Sequence, residues 1–325
     1  MSISTRPFKS GVFASVMFVC TAAWGQAYPS KPVRIIVPFT AGGYADVSAR
    51  IIAQALTERL GQPFVVDNRP GAGTVIGSEA VARSQPDGYT LLATGASTFT
   101  VNPVLMRNLP YDPLKSFAVV GIVTRTPMVL LAHPSFPADS VKDLVALAGA
   151  NPGKYAYGSF GAGTISHFAA ESFAAATGVQ MLHVPYKGST PLMNDLIGGQ
   201  VPVSFDTLVV AAPQMRSGKV KALAMMTKDR TSLFPQVPTV AESGYPGFDV
   251  STWVALAGAA GTPEAIIRKL REEVTAIVSQ RSVIERFEAL GVEGVKPTAE
   301  EFTRNVQADL QRFGKIARDA GMKIE

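Results

Sequence analysis

Short apolar runs of strand length alternate with helical patterns along this chain, and this alternation limits the possible fold more than any other feature. Residues 33–37 form a β-branched run, and residues 47–60 place apolar side chains on one face of a helix that Gly61 ends. Strands this apolar are typical of parallel sheets that helices cover on both faces. The pattern therefore predicts an α/β protein.

The same strand-and-helix unit recurs to the end of the chain. Further strands are predicted at 64–66, 90–93, 155–157, 181–184, 201–205 and 221–225, and further helices at 74–83, 140–150, 164–177, 262–280 and 298–320. Ser140 and Thr298 each open a capping box, with an acidic residue three positions later. A length of 325 residues suggests two domains or one large one.

The first 27 residues predict a signal peptide. Arg6 and Lys9 precede an apolar stretch at 11–24, and the small residues Gly25 and Ala27 predict cleavage after Ala27. A single membrane anchor is the alternative, but the stretch is short and interrupted by polar residues. The only cysteine, Cys20, lies in this segment, so the exported chain would be free of thiols, as suits an oxidising periplasm.

Composition and motif spacing exclude several functional classes. A net charge of +5 without any basic run argues against a nucleic-acid partner. The three histidines, at positions 133, 167 and 183, lack the spacing of metal ligands, and we expect neither a metal nor a cofactor. No apolar run after residue 30 has transmembrane length.

Four predicted strand-to-helix loops are candidates for a binding site, at residues 40–46, 94–98, 158–166 and 185–190. They are rich in Gly, Ala, Ser and Thr, and their only cationic side chain is Lys187. Ligands of open α/β sheets bind at the carboxyl ends of strands, beside helix N-termini that attract anions. We therefore expect an anion held mainly by backbone amides and hydroxyls, although each loop alone could be only a tight turn.

Enzyme motifs are incomplete in this sequence. Residues 71–77 have GxGxxxG rather than dinucleotide-binding spacing, and residues 158–161 are one residue short of a nucleophile elbow. A serine hydrolase using Ser97 or Ser159 remains a weaker alternative. Asp206 ends an apolar strand and is interpreted either as a polar anchor at the cleft or as a helix cap. Trp253 is interpreted as core or hinge packing.

Several motifs together resemble one known family. They are YPSKPVR at 28–34, PF with GG and Asp at 38–46, AR at 49–50, DNRPGAG at 67–73, PDGYTLL at 86–92, the segment 167–171, VPYKG at 184–188, SGK at 217–219, VPTVAESG at 237–244 and GTP at 261–263. The chain resembles the substrate-binding proteins of tripartite tricarboxylate transporters, also called the Bug family. The resemblance covers essentially the whole chain after residue 27.

The resemblance implies a two-domain periplasmic-binding-protein (Venus flytrap) fold, in which each domain is a mostly parallel sheet flanked by helices. It implies a discontinuous first domain at 28–126 plus 247–325, a second domain at 127–246, and a hinged cleft between them. It further implies a monomeric, non-enzymatic protein that captures a small carboxylate in the periplasm and delivers it to membrane permease subunits. The expected carboxylate is a di- or tricarboxylate, an acidic amino acid or an aromatic acid. A ligand-dependent partnership with a sensor is the alternative.

Site residues follow from the same resemblance, position by position. The implied contacts are Ala41, Gly42, Gly43, Asp46, Ala96 and Ser97 in the first domain and Ser159, Gly161, Gly163, Thr164, His167 and Asp206 in the second, with Tyr186 and Lys187 at the entrance. The chain departs from the family pattern at Tyr44 and Ala45, where a small residue or Pro and then Thr are usual. We interpret Tyr44 as shaping the pocket by stacking or narrowing, with a solvent-facing side chain as the alternative.

Overall fold

The computed structural model describes residues 1–2, 28–319 and 321–322. The body of the predicted signal peptide, including Cys20 and the cleavage point after Ala27, lies outside the described residues. Within the described ranges, no helix combines the length and the apolar character needed to cross a membrane.

Three strands with intervening helices open the fold. Strand β1 (Val33–Val37) leads into α1 (Tyr44–Leu60), and β2 (Phe64–Asn68) leads into a 3-10 turn (Ala72–Thr74) and α2 (Val75–Ala82); β3 (Thr90–Gly95) leads into a π-helical turn (Ser97–Val101) and α3 (Asn102–Leu105). Strand β1 pairs in parallel with β2 on one side and with β3 on the other.

The middle of the chain repeats this arrangement after one long strand, and the final part is mostly helical. The elements are β4 (Phe117–Ala132), α4 (Val141–Ala150), β5 (Ala156–Ser159), α5 (Ile165–Thr177), β6 (Leu182–Pro185), α6 (Ser189–Ile197), β7 (Val203–Thr207), α7 (Leu208–Arg216) and β8 (Lys221–Met225), followed by β9 (Ser251–Ala259), α8 (Glu264–Val278), α9 (Arg281–Glu288), β10 (Glu293–Gly294) and α10 (Ala299–Asp319). Strand β5 pairs in parallel with β6 and β7.

Strand β4 belongs to two sheets. Its residues 117–127 pair antiparallel with β9, whereas residues 128–132 pair antiparallel with β7 and β8. Pro127, which has no N–H to donate to a ladder, lies at this change of partners. We call the part built on β1–β3, β9 and β10 the first half, and the part built on β5–β8 the second half.

Strands β4 and β9 correct the expected sheet pattern. The strands within β1–β3 and within β5–β7 are parallel, as expected, but β4 and β9 run antiparallel to their neighbours, so the sheets are mixed. Neither strand was predicted from the sequence. Both are buried along most of their length, so they show no alternation of apolar and polar residues, and Gly121 and Pro127 interrupt β4.

Apolar side chains cover both faces of the first sheet. Ile35 of β1 belongs to a cluster with Leu56 of α1 and Leu270 of α8, whereas Ile36 belongs to the cluster on the other face. That second cluster continues into the second half, where the rings of Phe168 and Phe313 lie 4.3 Å apart and join α5 to α10. The core therefore places the strand ends of both halves side by side.

Several helices begin or end at the capping residues and glycines that the sequence indicates. The Ser140 hydroxyl accepts the Asp143 amide proton, and Thr298 accepts that of Glu301. Gly61 and Gly178 end α1 and α5 in the left-handed conformation, with φ of 70° and 73°. Observed boundaries differ from the predicted ones by two or three residues at α1 and β7.

Candidate functional site

A cavity lies between the two halves, where strand ends from both meet. Its empty volume, including the mouth, is about 410 Å³. None of the residues that line it carries a charge; they are Phe39, Gly43, Tyr44, Ala45, Gly95, Ala96, Ser97, Phe160, Ile165, Ser189, Thr207, Thr252, Trp253 and Val254. The predicted residues Gly43, Tyr44, Ala96 and Ser97 are therefore on the cavity wall.

Four helices begin at this cavity. Helices α1, α5, α6 and α7 start at Tyr44, Ile165, Ser189 and Leu208, and none of them is capped by the side chain of its own N-cap residue. Two amides at these helix starts have side-chain acceptors from elsewhere, since Ile165 donates to Ser97 and Thr207 donates to Asp206. Uncapped N-termini leave backbone N–H groups without intrahelical partners, and the helix dipole adds positive potential there. The cavity is thus electrostatically suited to an anion, although no cationic side chain lines it.

Hydrogen bonds join the two halves at the cavity rim. The Thr190 hydroxyl of α6 donates to the Ala41 carbonyl oxygen over 2.7 Å. The Ile165 amide at the start of α5 donates to Ser97 Oγ over 3.0 Å. The structure therefore has the cleft in a closed arrangement.

Glycines allow the backbones of the two halves to approach closely. A Cβ atom on Gly188 would lie 1.9 Å from Thr40 Oγ1, and one on Gly73 would lie 2.6 Å from the Ala162 carbonyl oxygen. Real Cβ atoms do not approach other atoms this closely, so any side chain here would push the halves apart. The glycine-rich loops thus allow the close approach of the two halves.

Asp46 supports the 40–46 loop from within. Its carboxylate accepts hydrogen bonds from the Gly42 amide, Arg50 Nε and Asn68 Nδ2, each over 2.9 Å. Burial alone would raise the pKa of this carboxyl, but these hydrogen bonds and the Arg50 charge hold the pKa below its usual value. Asp46 is absent from the cavity wall, so the structure gives it a supporting position behind Gly42 and Gly43.

Tyr44 is buried, with 6% of its surface exposed. Its hydroxyl lies 2.8 Å from Thr124 Oγ1 of β4, and Thr124 in turn donates to Ser48 over 3.3 Å. Burial raises the pKa of the phenol, which therefore stays neutral. The solvent-facing alternative is wrong, and the ring forms part of the cavity wall.

Four predicted residues of the second half lie in one loop, at 159–164. Two histidines, His167 and His183, contact this loop on the side away from the cavity. Thr164 Oγ1 donates to the Gly161 carbonyl over 2.6 Å, and the Gly163 amide donates to His167 Nδ1 over 3.4 Å. Ser159 Oγ lies 2.7 Å from His183 Nε2. None of these residues lines the cavity, so they shape the loop beside it.

The two histidine rings stack in parallel, with centroids 4.2 Å apart. Burial lowers the pKa of His167, and burial together with the neighbouring His167 lowers the pKa of His183 to about 4. Both rings are therefore neutral near pH 7. Glu171, a member of the predicted 167–171 segment, lies 3.8 Å from His167 and accepts a hydrogen bond from Tyr157.

The Ser159–His183 pair is the contact closest to a hydrolytic dyad. Ser159 has no exposed surface, so no substrate reaches its hydroxyl. The His183 ring is stacked between Tyr157 and His167, and no carboxylate among the described residues hydrogen-bonds to it. The geometry does not support the hydrolase alternative.

Asp206 has both of the roles that were considered from the sequence, a polar anchor and a helix cap. It is fully buried behind the cavity, and its Oδ1 atom accepts hydrogen bonds from Ser189 Oγ over 2.8 Å and from the Thr207 amide over 2.7 Å. These donors lie at the starts of α6 and α7, so the carboxylate is both a polar anchor and a cap. Its Oδ2 atom has no hydrogen-bond partner among the described residues, and burial raises the pKa of the carboxyl to about 6.

The remaining predicted contacts lie away from the cavity. Tyr186 donates its hydroxyl proton to Asp195 Oδ2 over 2.8 Å, and Lys187 is exposed. Ala41, whose carbonyl accepts from Thr190, belongs to the rim. Neither Tyr186 nor Lys187 is among the lining residues.

Several lining residues were missed by the sequence analysis. Ser189 lies within a candidate loop and Thr207 follows a candidate aspartate, so local signals existed for both. Thr252 gave no signal, because β9 was not predicted. Trp253 lines the cavity, yet it is 2% exposed and stacks on Phe99 with centroids 5.9 Å apart, which agrees with the packing interpretation.

The site shows no arrangement suited to a metal. In the described part of the chain, no group of three or more His, Cys, Asp or Glu residues is placed to bind a metal ion.

Comparisons of the sequence and of the structure with known proteins indicate the same family. Residues 48–322 match the family model described as "Tripartite tricarboxylate transporter family receptor". The structure of the periplasmic binding protein BugD is 36% identical, with a TM-score of 0.88, over 92% of this chain and 100% of that one. The chain thus shares a family and a fold with periplasmic solute-binding proteins rather than with enzymes.

Two further similar structures contain acids. Rpa4515 of R. palustris with adipate is 34% identical, with a TM-score of 0.88, over 91% of this chain and 99% of that one. MatC (Rpa3494) from Rhodopseudomonas palustris with bound malate is 32% identical, with a TM-score of 0.84, over 89% of this chain and 99% of that one.

Proposed function

The chain belongs to the tripartite tricarboxylate transporter receptor family, and on that premise we propose that it captures a small carboxylate in the periplasm for uptake by membrane permease subunits. The observation that carries the proposal is the uncharged cavity at which four helices begin without a cap from their own N-cap side chains. Backbone amides and hydroxyls can bind a carboxylate there without an arginine or lysine.

The two relatives with bound acids support a carboxylate ligand. Adipate and malate are both small dicarboxylates, and the proteins that hold them share at least 32% identity with this chain. The ligand class proposed is therefore a small mono- or dicarboxylic acid.

Closure of two domains around the ligand is the proposed mechanism. We place the first domain at 28–126 plus 247–325 and the second at 127–246, which puts the boundary close to the change of partners in β4. A ligand that touches both halves favours the closed arrangement, because only that arrangement makes both sets of contacts. The closed form is then the one presented to the permease.

Binding can be tested by thermal shift and isothermal titration calorimetry with matched ligands. We expect small carboxylic acids to raise the melting temperature, because a ligand at a hundred times its Kd adds about 2.7 kcal/mol of stability. The amides and methyl esters of the same acids serve as controls of nearly equal size. Equal binding of an acid and its neutral amide would contradict the proposal.

A further inference from the structure

The hydroxyl protons of Ser189 and Thr207, on the second-half wall of the cavity, are directed to an acceptor within the protein. Ser189 Oγ donates to Asp206 Oδ1 over 2.8 Å, and Thr207 Oγ1 is directed to the same oxygen over 3.4 Å. A serine or threonine hydroxyl has a single proton and two lone pairs. Toward the cavity, which both residues line, they therefore offer lone pairs only.

This polarity does not depend on the protonation state of Asp206. Its Oδ1 atom also accepts the Thr207 amide proton over 2.7 Å, whereas Oδ2 has no partner among the residues that the structure describes. A proton on the carboxyl would therefore reside on Oδ2, and Oδ1 would still accept from Ser189. In either state Ser189 remains an acceptor toward the cavity.

The Ser97 hydroxyl on the first-half wall has the opposite polarity. Ser97 Oγ accepts the Ile165 amide proton over 3.0 Å, which leaves its own hydroxyl proton available to the cavity. The uncapped start of α1, at Tyr44 and Ala45, lies on the same wall and adds backbone donors. Among the side-chain hydroxyls, Ser97 on the first-half wall therefore donates to the cavity, whereas Ser189 and Thr207 on the second-half wall accept.

A carboxylate can only accept hydrogen bonds, so it matches the Ser97 hydroxyl and the backbone amides but not the lone pairs of Ser189 and Thr207. We propose that Ser189 and Thr207, oriented by Asp206, form an accepting subsite, and that the preferred ligand is an acid that also carries a hydroxyl or ammonium group. This inference rests on the proposed carboxylate binding and narrows its ligand class. Ser189 acts as a specificity-determining residue, and Asp206 as a positioning residue.

Calorimetry with series of acids that differ in a single substituent tests the subsite in the purified protein. One series is succinate, malate and aspartate; the others are glutarate, 2-hydroxyglutarate and glutamate, then adipate, 2-hydroxyadipate and 2-aminoadipate, then propionate, lactate and alanine. Within each series that binds, we expect the hydroxy or amino acid to bind about tenfold more tightly than the plain acid. The two substituted arms distinguish a hydroxyl from an ammonium ligand.

Variants distinguish a specific contact from a general loosening of the site. Ser189→Ala should reduce the preference for substituted acids to about twofold or less, because the accepting oxygen is gone. Thr207→Val, which keeps the side-chain shape, should reduce the preference in part. Ser97→Ala is the matched control on the other wall, and it should weaken plain and substituted acids alike.

Three results would overturn the inference. If acids bind but the substituted ones are no tighter, the subsite is wrong and the proposed function stands. The subsite is equally wrong if Ser189→Ala, with an unchanged melting temperature, weakens every acid by the same factor. If no acid of any series binds, the proposed function fails and the inference fails with it. Should Ser189→Ala not fold, the wild-type ratios and Thr207→Val still decide.

Discussion

At the scale of single residues, His183 behind the 158–164 loop is expected to make the stability of the protein depend on pH. His183 contacts Ser159, and its neutral ring stacks on His167. Burial and the neighbouring His167 lower the pKa of His183 to about 4, whereas an unfolded histidine titrates near 6.5. Between these values the unfolded chain binds more protons than the folded one, so the free energy of unfolding falls as the pH falls.

We predict that His183→Gln flattens this part of the stability profile. Denaturant unfolding between pH 7.5 and pH 4.5 should show that the wild type loses about 1–2 kcal/mol more than the variant, after allowance for solvent screening of a partly exposed ring. Gln keeps a polar group near Ser159 but does not titrate. Parallel profiles for the two proteins would show that His183 makes no such contribution.

At the same scale, the roles of buried polar residues could not be predicted from the sequence. Asp46 and His167 are expected as ligand contacts, but in the structure they hydrogen-bond to Gly42 and Gly163 and are absent from the cavity wall. Asp46 also depends on Asn68, which only the folding of β2 beside β1 brings within reach. Local sequence indicates the loop, and tertiary contacts decide which side of it faces the ligand.

At the scale of elements, a methyl group added where two loops meet across the cleft is expected to weaken ligand binding. Gly73 has φ of 58°, and its Cβ would lie 2.6 Å from the Ala162 carbonyl of the opposite half. We predict that Gly73→Ala weakens ligand binding by about tenfold, because 1–2 kcal/mol of overpacking falls on the closed arrangement. Calorimetry with the best ligand measures the change.

Gly178→Ala is the matched control for this variant. Gly178 has a similar φ of 73° at the end of α5, and an added Cβ would have no atom within 4 Å. Both variants should lose about 1 kcal/mol of stability from left-handed backbone strain. Only Gly73→Ala should lose affinity, and equal affinities for the two variants would contradict close approach of these loops in the bound state.

Elements with amphipathic patterns were predicted well, and elements buried on all sides were not. Helix α1 and the capped helix α4 follow directly from apolar spacing, Gly61 and Ser140. Strands β4 and β9 lie in the middle of the sheets, where burial on both faces removes the alternation that marks a strand. Thr252 and Trp253, which lie on β9, were therefore not assigned to the cavity wall.

At the scale of the whole molecule, closure can be trapped covalently. A Cβ on Gly43 would lie 3.8 Å from Ser189 Cβ, which is the usual separation in a disulfide. Gly43 has φ of −79°, which any residue adopts. The single natural cysteine, Cys20, precedes the predicted cleavage point, so an engineered pair in the mature chain would have no competitor.

We predict that the Gly43→Cys, Ser189→Cys double variant forms a disulfide that locks the two halves together. Mass spectrometry should show loss of both thiols under oxidising conditions, and small-angle scattering should show a compact particle whether or not ligand is added. The reduced double variant is the control, and reduction should restore opening. Persistent free thiols in the presence of a bound acid would show that the halves do not approach this closely in solution.

The glycines at the cavity rim lower the side-chain entropy that is lost when the cleft closes. Where Gly188 meets Thr40 and Gly73 meets Ala162, one partner has no side chain. Glycine has no rotamers to lose when two surfaces come together, whereas a lysine or arginine there would lose up to about 2 kcal/mol of side-chain conformational entropy. Closing the rim therefore orders few side chains, and we expect most of the contact free energy of the proposed acid to be retained as affinity.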